Sequence, residues 1–167
     1  TNPTGIIREG EPLGAMWGLT RLGTWNTDEA AEAARFVSYR GGNTMLPGDV
    51  KYKDVNGDYV INDEDRTIIG NGYPTAWGTI TNYVKYKNFD LTFDVQYSWG
   101  NDILNLNLHS SEDRQDLANS YATVLNAWTP DNQDTMIAQV RNTRAGYVTN
   151  VDTHWVQDAS FIRGQNF

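Results

Sequence analysis

The stretch DVNGDYVINDED, residues 54–65, places Asp54, Asn56, Asp58, Asn62 and Asp65 at positions one, three, five, nine and twelve of a loop. With the Val60 carbonyl at position seven, this is the ligand spacing of a calcium loop, because a hard divalent cation gathers oxygens. The preceding PGDVKYK reads as extended, so no entering helix makes this an EF-hand proper. Asp65 stands where the longer Glu is usual, and Tyr59 occupies position six, where the sharp turn ordinarily takes glycine. The same Asn, Asp and Gly residues also build Asx-rich turns without any ion. Two expectations stand side by side: a calcium-braced loop and a self-closed turn.

No other group of residues promises chemistry. Paired carboxylates can flank a sugar bond in a glycosidase, but Asp63, Glu64 and Asp65 are adjacent and suit solvation or an ion better. His109 and His154 have no nucleophile motif beside them and read as polar loop residues. No catalytic constellation is expected, so the chain is not read as an enzyme. The 21 acidic residues outnumber 13 scattered basic ones. Nucleic-acid binding needs clustered positive charge and is excluded. The absence of cysteine excludes disulfides and thiolate chemistry.

The length, 167 residues, suits one unit. No apolar run reaches the ~20 residues of a membrane helix. The opening TNPTGIIREGEP has no charged start followed by an apolar core, so no signal peptide is visible. Six Trp, nine Tyr and five Phe are many large rings for a chain of mean hydropathy -0.59. Such rings serve a β core, a sugar platform or a membrane interface.

The elements that would position the acidic loop follow from patterning. PLGAMWGL, residues 12–19, suggests a short strand. NTDEAAEAARFVSY predicts a helix, with Asn26 as cap, Glu29 completing a capping box, and Ala30, Ala33, Ala34 and Val37 on one face. The informative strand is FDLTFDVQYSW, residues 89–99. Phe89, Leu91, Phe93, Val95, Tyr97 and Trp99 alternate with Asp90, Thr92, Asp94, Gln96 and Ser98 without error. Strands of soluble proteins commonly run ~5–6 residues, whereas transmembrane β-strands take ~9–11. WGTITNYVKY can pair with it through the tight YKNF connection, with Ile80, Val84 and Tyr86 sharing a face. Trp77 and Trp99, near the same end of this hairpin, are expected in an aromatic girdle. SEDRQDLANSYATVLNAW, residues 111–128, predicts a helix with Leu117, Tyr121, Val124, Leu125 and Trp128 on one face. Trp155, Val156, Phe161 and Ile162 predict a last strand around a turn or bulge at Asp158.

The connections complete the expected layout: a loop over 20–76 containing the calcium-like loop 54–65, a β-hairpin over 77–99, a loop over 100–152, and a strand over 153–167. One tight turn opposite two long connections is the asymmetry of outer-membrane barrels, whose long loops face outward. The fold class expected is mainly β with short helices in loops, a fragment of a transmembrane antiparallel β-barrel with long extracellular loops.

The motifs EGEPLG, PGDVKYKDVNGDYVINDEDRTIIGNGYP, YKNFDLTFDVQYSWGNDILN, NAWTPDNQ and HWVQDASFIR occur in an order that resembles SusC/RagA-type TonB-dependent outer-membrane transporters, late in the barrel. They span residue 9 to about 163. The chain departs from the family at Tyr59, where glycine is common, and after Arg163, where GQNF replaces a Leu-Lys-Asn pattern. The resemblance implies a plugged barrel in the outer membrane of a Gram-negative bacterium, in contact with outer-membrane lipid. It also implies import of oligosaccharides or peptides with a SusD-like surface lipoprotein, powered by the TonB complex through an N-terminal part outside this sequence. The substrate stays open. The alternative from a different class is a secreted calcium-stapled β-rich carbohydrate-binding module.

Overall fold

A computed structural model describes residues 5–38, 42–112, 119–140 and 151–166. The chain runs through β1 (Ala15–Gly18), β2 (Arg21–Thr24), α1 (Ala30–Ala33), β3 (Val37–Ser38), β4 (Val50–Tyr52), β5 (Val60–Ile61) and β6 (Thr67–Asn71). It continues with β7 (Ala76–Tyr86), β8 (Phe89–Trp99), β9 (Asp102–Leu104), α2 (Leu106–Glu112), β10 (Val156–Asp158) and β11 (Phe161–Gln165).

The alternating stretch is β8, the centre of an antiparallel sheet in the order β11-β8-β7. β7 and β8 each have eleven residues and pair without a slip from Ala76↔Trp99 to Tyr86↔Phe89. Lys87 and Asn88 make the turn, with Lys87 at φ 54°. At ~3.3 Å per residue such strands are about 36 Å long, and a tilt near 45° lets them cross about 25 Å, the height of an outer-membrane apolar band.

Directly opposed residues share a face, so the register sorts the side chains. One face carries the six apolar residues of β8 with Ile80, Val84 and Tyr86 of β7 and Ile162 of β11. Phe89, Leu91, Ile80, Val84, Tyr86 and Ile162 are exposed on it. The other face is mainly polar, with Trp77, Tyr83 and Phe161 as its large rings. Lys85 pairs with Asp90, Arg163 donates to the Gln96 amide oxygen, and Asn166 donates to Asp94. Gly78 lies opposite Tyr97, whose ring occupies the space a Cβ would need at 3.0–3.2 Å. Trp77 corrects one expectation. It opposes Ser98 on the polar face, so only Trp99 stands on the apolar face at that end. Tyr86 and Phe89 are the aromatic pair at the other.

Both long connections leave the same end of this sheet. The β8/β11 ladder bends at Gly100 (φ 76°) and Ala159–Ser160, then resumes as the antiparallel pair β9/β10. The bend is tied by Gly100 N donating to Ser160 Oγ and Ala159 N donating to Asn101 O. Beyond it the connections fold together into one lobe. Its antiparallel pairs are β1/β6 and β2/β4, and β3/β5 is parallel. Leu19, Trp25, Ala33, Met45, Val50, Tyr52, Ile61 and Ala138 form the core, with Phe36 against it.

Two helix expectations need correction. Among the described residues of 26–39 only Ala30–Ala33 is helical, because Val37 and Ser38 pair with Val60 and Ile61 at the exit of the acidic loop. Half the capping box forms: Asn26 N donates to Glu29 Oε2, while Asn26 Oδ1 finds no partner among the described residues. Over 111–128, α2 starts earlier at Leu106, and Ala122–Asn126 is a 3-10 turn. Leu125 is 92% exposed while Trp128 is 4% exposed, so they do not share a buried face. Leu117 lies outside the described residues. In the final segment Trp155 belongs to a 3-10 turn over Thr153–Trp155 rather than to a strand; Val156–Asp158 and Phe161–Gln165 are strands, with Asp158 Oδ1 accepting from Ser160 N at the break between them.

Candidate functional site

Among the described residues, two places in the lobe gather polar side chains. The acidic loop is closed by its own hydrogen bonds. Asp54 accepts from Gly57 N (2.7 Å) and Tyr59 N (3.0 Å), and Asp58 Oδ1 accepts from Val60 N. Asp65 is fully buried and accepts from Val55 N (2.9 Å) and Asn62 N (2.8 Å), and Asn62 Oδ1 accepts from Glu64 N. The Asn56 amide nitrogen donates to both Asp58 and Glu64, standing between two carboxylates. Thus five of the six expected ligands orient the loop through side chains, and Val60 does so through its N–H. Among the described residues, no three His, Asp or Glu side chains are arranged to hold a metal ion.

Tyr59 takes φ 63° at position six, the conformation glycine would supply. Its ring meets Phe36 edge-on, Phe36 meets Trp25, Arg35 lies over Tyr59, and Lys51 lies over Trp25. Glu29 accepts from Lys51. That ammonium, with the Asn26 N–H, outweighs desolvation and holds the Glu29 carboxyl below its ordinary value. At Asp158 the Ser160 hydroxyl and N–H lower the carboxyl likewise.

The second place is the seam between the two connections, and sequence patterning missed it. Asp152, fully buried, accepts from Arg21 Nε (2.9 Å) and Nη2 (2.6 Å), from the Tyr52 hydroxyl (3.0 Å) and from His154 N (2.9 Å). Arg21 also donates to Met136 O at 2.7 Å and lies over the Trp155 ring. Close by, Gly48 at φ 87° brings the first connection against the second. A Cβ there would meet Gln139 at 2.8 Å and Trp128 at 2.9 Å.

A pocket of about 470 Å³ opens along this seam. Its walls include Leu22 and Gly23 from the first connection and Glu112, Asn126, Met136 and His154 from the second. This size suits a small ligand or a short piece of a larger one. His154 Nε2 is 2.8 Å from Glu112 Oε2, and both histidine rings stand edge-on to Trp155. The expectation of two isolated loop histidines is therefore corrected: a buried carboxylate and a buried indole hold them. The only local sign in the sequence was HWV, whose alternation does not reveal partners over 40 residues away.

No family model matches the chain. It is 33% identical over 165 residues to TonB-dependent receptor P3 of Formosa agariphila, which covers 98% of this chain and 15% of that protein. It is 30% identical over 158 residues to TonB-dependent receptor P26 of the same organism, covering 92% and 15%. The chain thus spans about 15% of the length of these curated relatives. The structure of the RagAB peptide transporter superposes with a TM-score of 0.66 over 97% of this chain and 16% of that one, at 21% identity. The fold is that of this solved transporter over one stretch, and nothing among these relatives supports a secreted binding module. With the order of its motifs, a strand hairpin that fits a barrel wall, and relatives matched along nearly its whole length, the chain is similar to one stretch of the TonB-dependent receptors of the SusC/RagA type.

Proposed function

We propose that the intact protein is an outer-membrane importer of oligosaccharides or peptides, driven by TonB and working with a SusD-like surface lipoprotein. The observation that carries this reading is the sheet β11-β8-β7, with one apolar face exposed and both long connections at one end. Its apolar face would meet lipid and its polar face the barrel interior. Three strands leave two open edges, which lipid does not tolerate, so transport needs the closed barrel. The lobe then stands on the extracellular side, where its seam pocket and exposed Leu125, Met136 and Tyr121 are available to substrate or lipoprotein. The name of the RagAB peptide transporter favours keeping peptides beside glycans as substrates.

Calcium bracing of the 54–65 loop is a separate proposal. The spacing of Asp54, Asn56, Asp58, Val60, Asn62 and Asp65 supports it, as does the positive φ at Tyr59. An ion would take the position between Asp58 and Glu64 that the Asn56 amide nitrogen fills.

The importer is tested by growth on single glycans and peptides with and without the gene, beside membrane fractionation. Loss of growth on one substrate class, with the protein in the outer membrane, is the expected result. A soluble protein in the medium and unchanged growth on every substrate would overturn it.

A further inference from the structure

We infer that Asp152 is a latch that locks the two long connections into one body and thereby holds the seam pocket in shape. Four segments converge on this carboxylate or on its Arg21 partner. β2 supplies Arg21, β4 supplies Tyr52, the stretch at 136 supplies a carbonyl to Arg21, and 152–155 supplies Asp152 with the His154 N–H. The backbone repeats the connection. Leu19 N donates to Val151 O, Thr153 N donates to Leu19 O, and Arg21 N donates to Thr153 Oγ1. Farther along the seam, Gln139 N donates to Gly48 O and Thr24 Oγ1 donates to Thr135 O.

The buried charge makes this arrangement all-or-none. Arg21 and Asp152 have side-chain exposures of 6% and 0%. Removing one partner leaves the other charged and shielded from water, which costs far more than an exposed pair would. Local opening at one contact therefore exposes the whole cluster, and the segments it joins open together. Asp152 lies four residues before β10, which continues into β11 beside β8. The latch thus sits at the root of the lobe, where it meets the sheet. Since Leu22 and Gly23 flank Arg21's neighbourhood on one wall and His154 adjoins Asp152 on the other, releasing the latch parts the pocket walls.

The test is hydrogen exchange on the intact, detergent-solubilised receptor. In the native protein, segments 19–24, 48–52, 135–139 and 151–155 are expected to exchange with one common opening rate. Asp152→Asn keeps the shape and removes the buried negative charge opposite Arg21. It should raise exchange in all four segments together, about a hundredfold or more, while 76–99 stays protected. Tyr52→Phe removes one hydrogen bond to the carboxylate and should raise the same four segments together by about tenfold. If the segments of the native protein exchange at unrelated rates, or if Asp152→Asn deprotects only 151–155, the connections are independent and the latch is wrong. Loss of protection over 76–99 as well would also overturn it, since the lobe would then not be a separable body. None of these readouts depends on the protein's substrate, so failure of the importer reading and failure of the latch are told apart.

Discussion

Tyr59 holds a left-handed backbone, φ 63°, while its ring packs edge-on against Phe36 at 5.2 Å. A side chain in that region costs about 1–2 kcal/mol, which glycine avoids. The contacts to Phe36 and Arg35 offset the strain and hook the acidic loop to the segment after α1. Tyr59→Ala loses the ring and keeps the strain, whereas Tyr59→Gly loses both. Tyr59→Ala should therefore be the less stable variant by about 1 kcal/mol. Thermal unfolding of the two variants, followed by exchange over 54–65, checks the order.

The loop's ion dependence and its intrinsic closure can be separated. Asp65→Ala deprives Val55 and Asn62 of their buried acceptor and should lower stability by about 2–3 kcal/mol with or without calcium. Asp54→Ala with Asp58→Ala should abolish calcium-dependent protection of 50–70 from proteolysis. Titration calorimetry at ~1 mM calcium, the range of weak extracellular sites, measures the binding directly. No heat and unchanged proteolysis would leave the self-closed turn as the whole account.

Acid should loosen the segment around α1 through Glu29. Its folded carboxyl lies below the ordinary 4.5, because Lys51 and the Asn26 N–H favour the charged form. The stabilisation is present above the unfolded value and is lost as pH falls through the folded one. The unfolding temperature of the native protein should thus fall relative to Glu29→Gln between about pH 5 and 3. Parallel curves for the two proteins would remove Glu29 from the explanation.

The sheet makes a facewise prediction. Phe93→Arg places a cation on the apolar face near mid-strand, and should weaken folding into bilayers by about 2–4 kcal/mol. Thr92→Arg, one residue away on the polar face, should cost much less. Equal losses would mean that the two faces have the same surroundings.

How much was legible depended on where the deciding contact lay. β8 could be read to its end residues because Phe89 through Trp99 alternate without error, and the turn at Asp158 was visible because an aspartate two residues before Ser160 closes locally. A helix through Val37 does not form because Val37 and Ser38 are claimed by Val60 and Ile61, a pairing that local propensity does not contain. The face of Trp77 is not legible in the sequence because Gly78 and Asn82 blur the alternation of β7, and only the register Trp77↔Ser98 fixes it. The acidic loop declared itself by spacing. The Arg21–Asp152 pair could not, since its residues are 131 positions apart.

The central claim is that β7, β8 and β11 are part of a membrane barrel wall with the lobe outside the cell. Single cysteines at Asn43, at Leu125 and at Lys87 in the intact receptor test it most directly, since the first two lie in the lobe and the third in the hairpin turn. On intact cells an impermeant maleimide should label the first two and leave Lys87 unlabelled until the outer membrane is opened. Labelling of Lys87 alone would reverse the orientation, and equal labelling of all three on intact cells would contradict a membrane-spanning sheet.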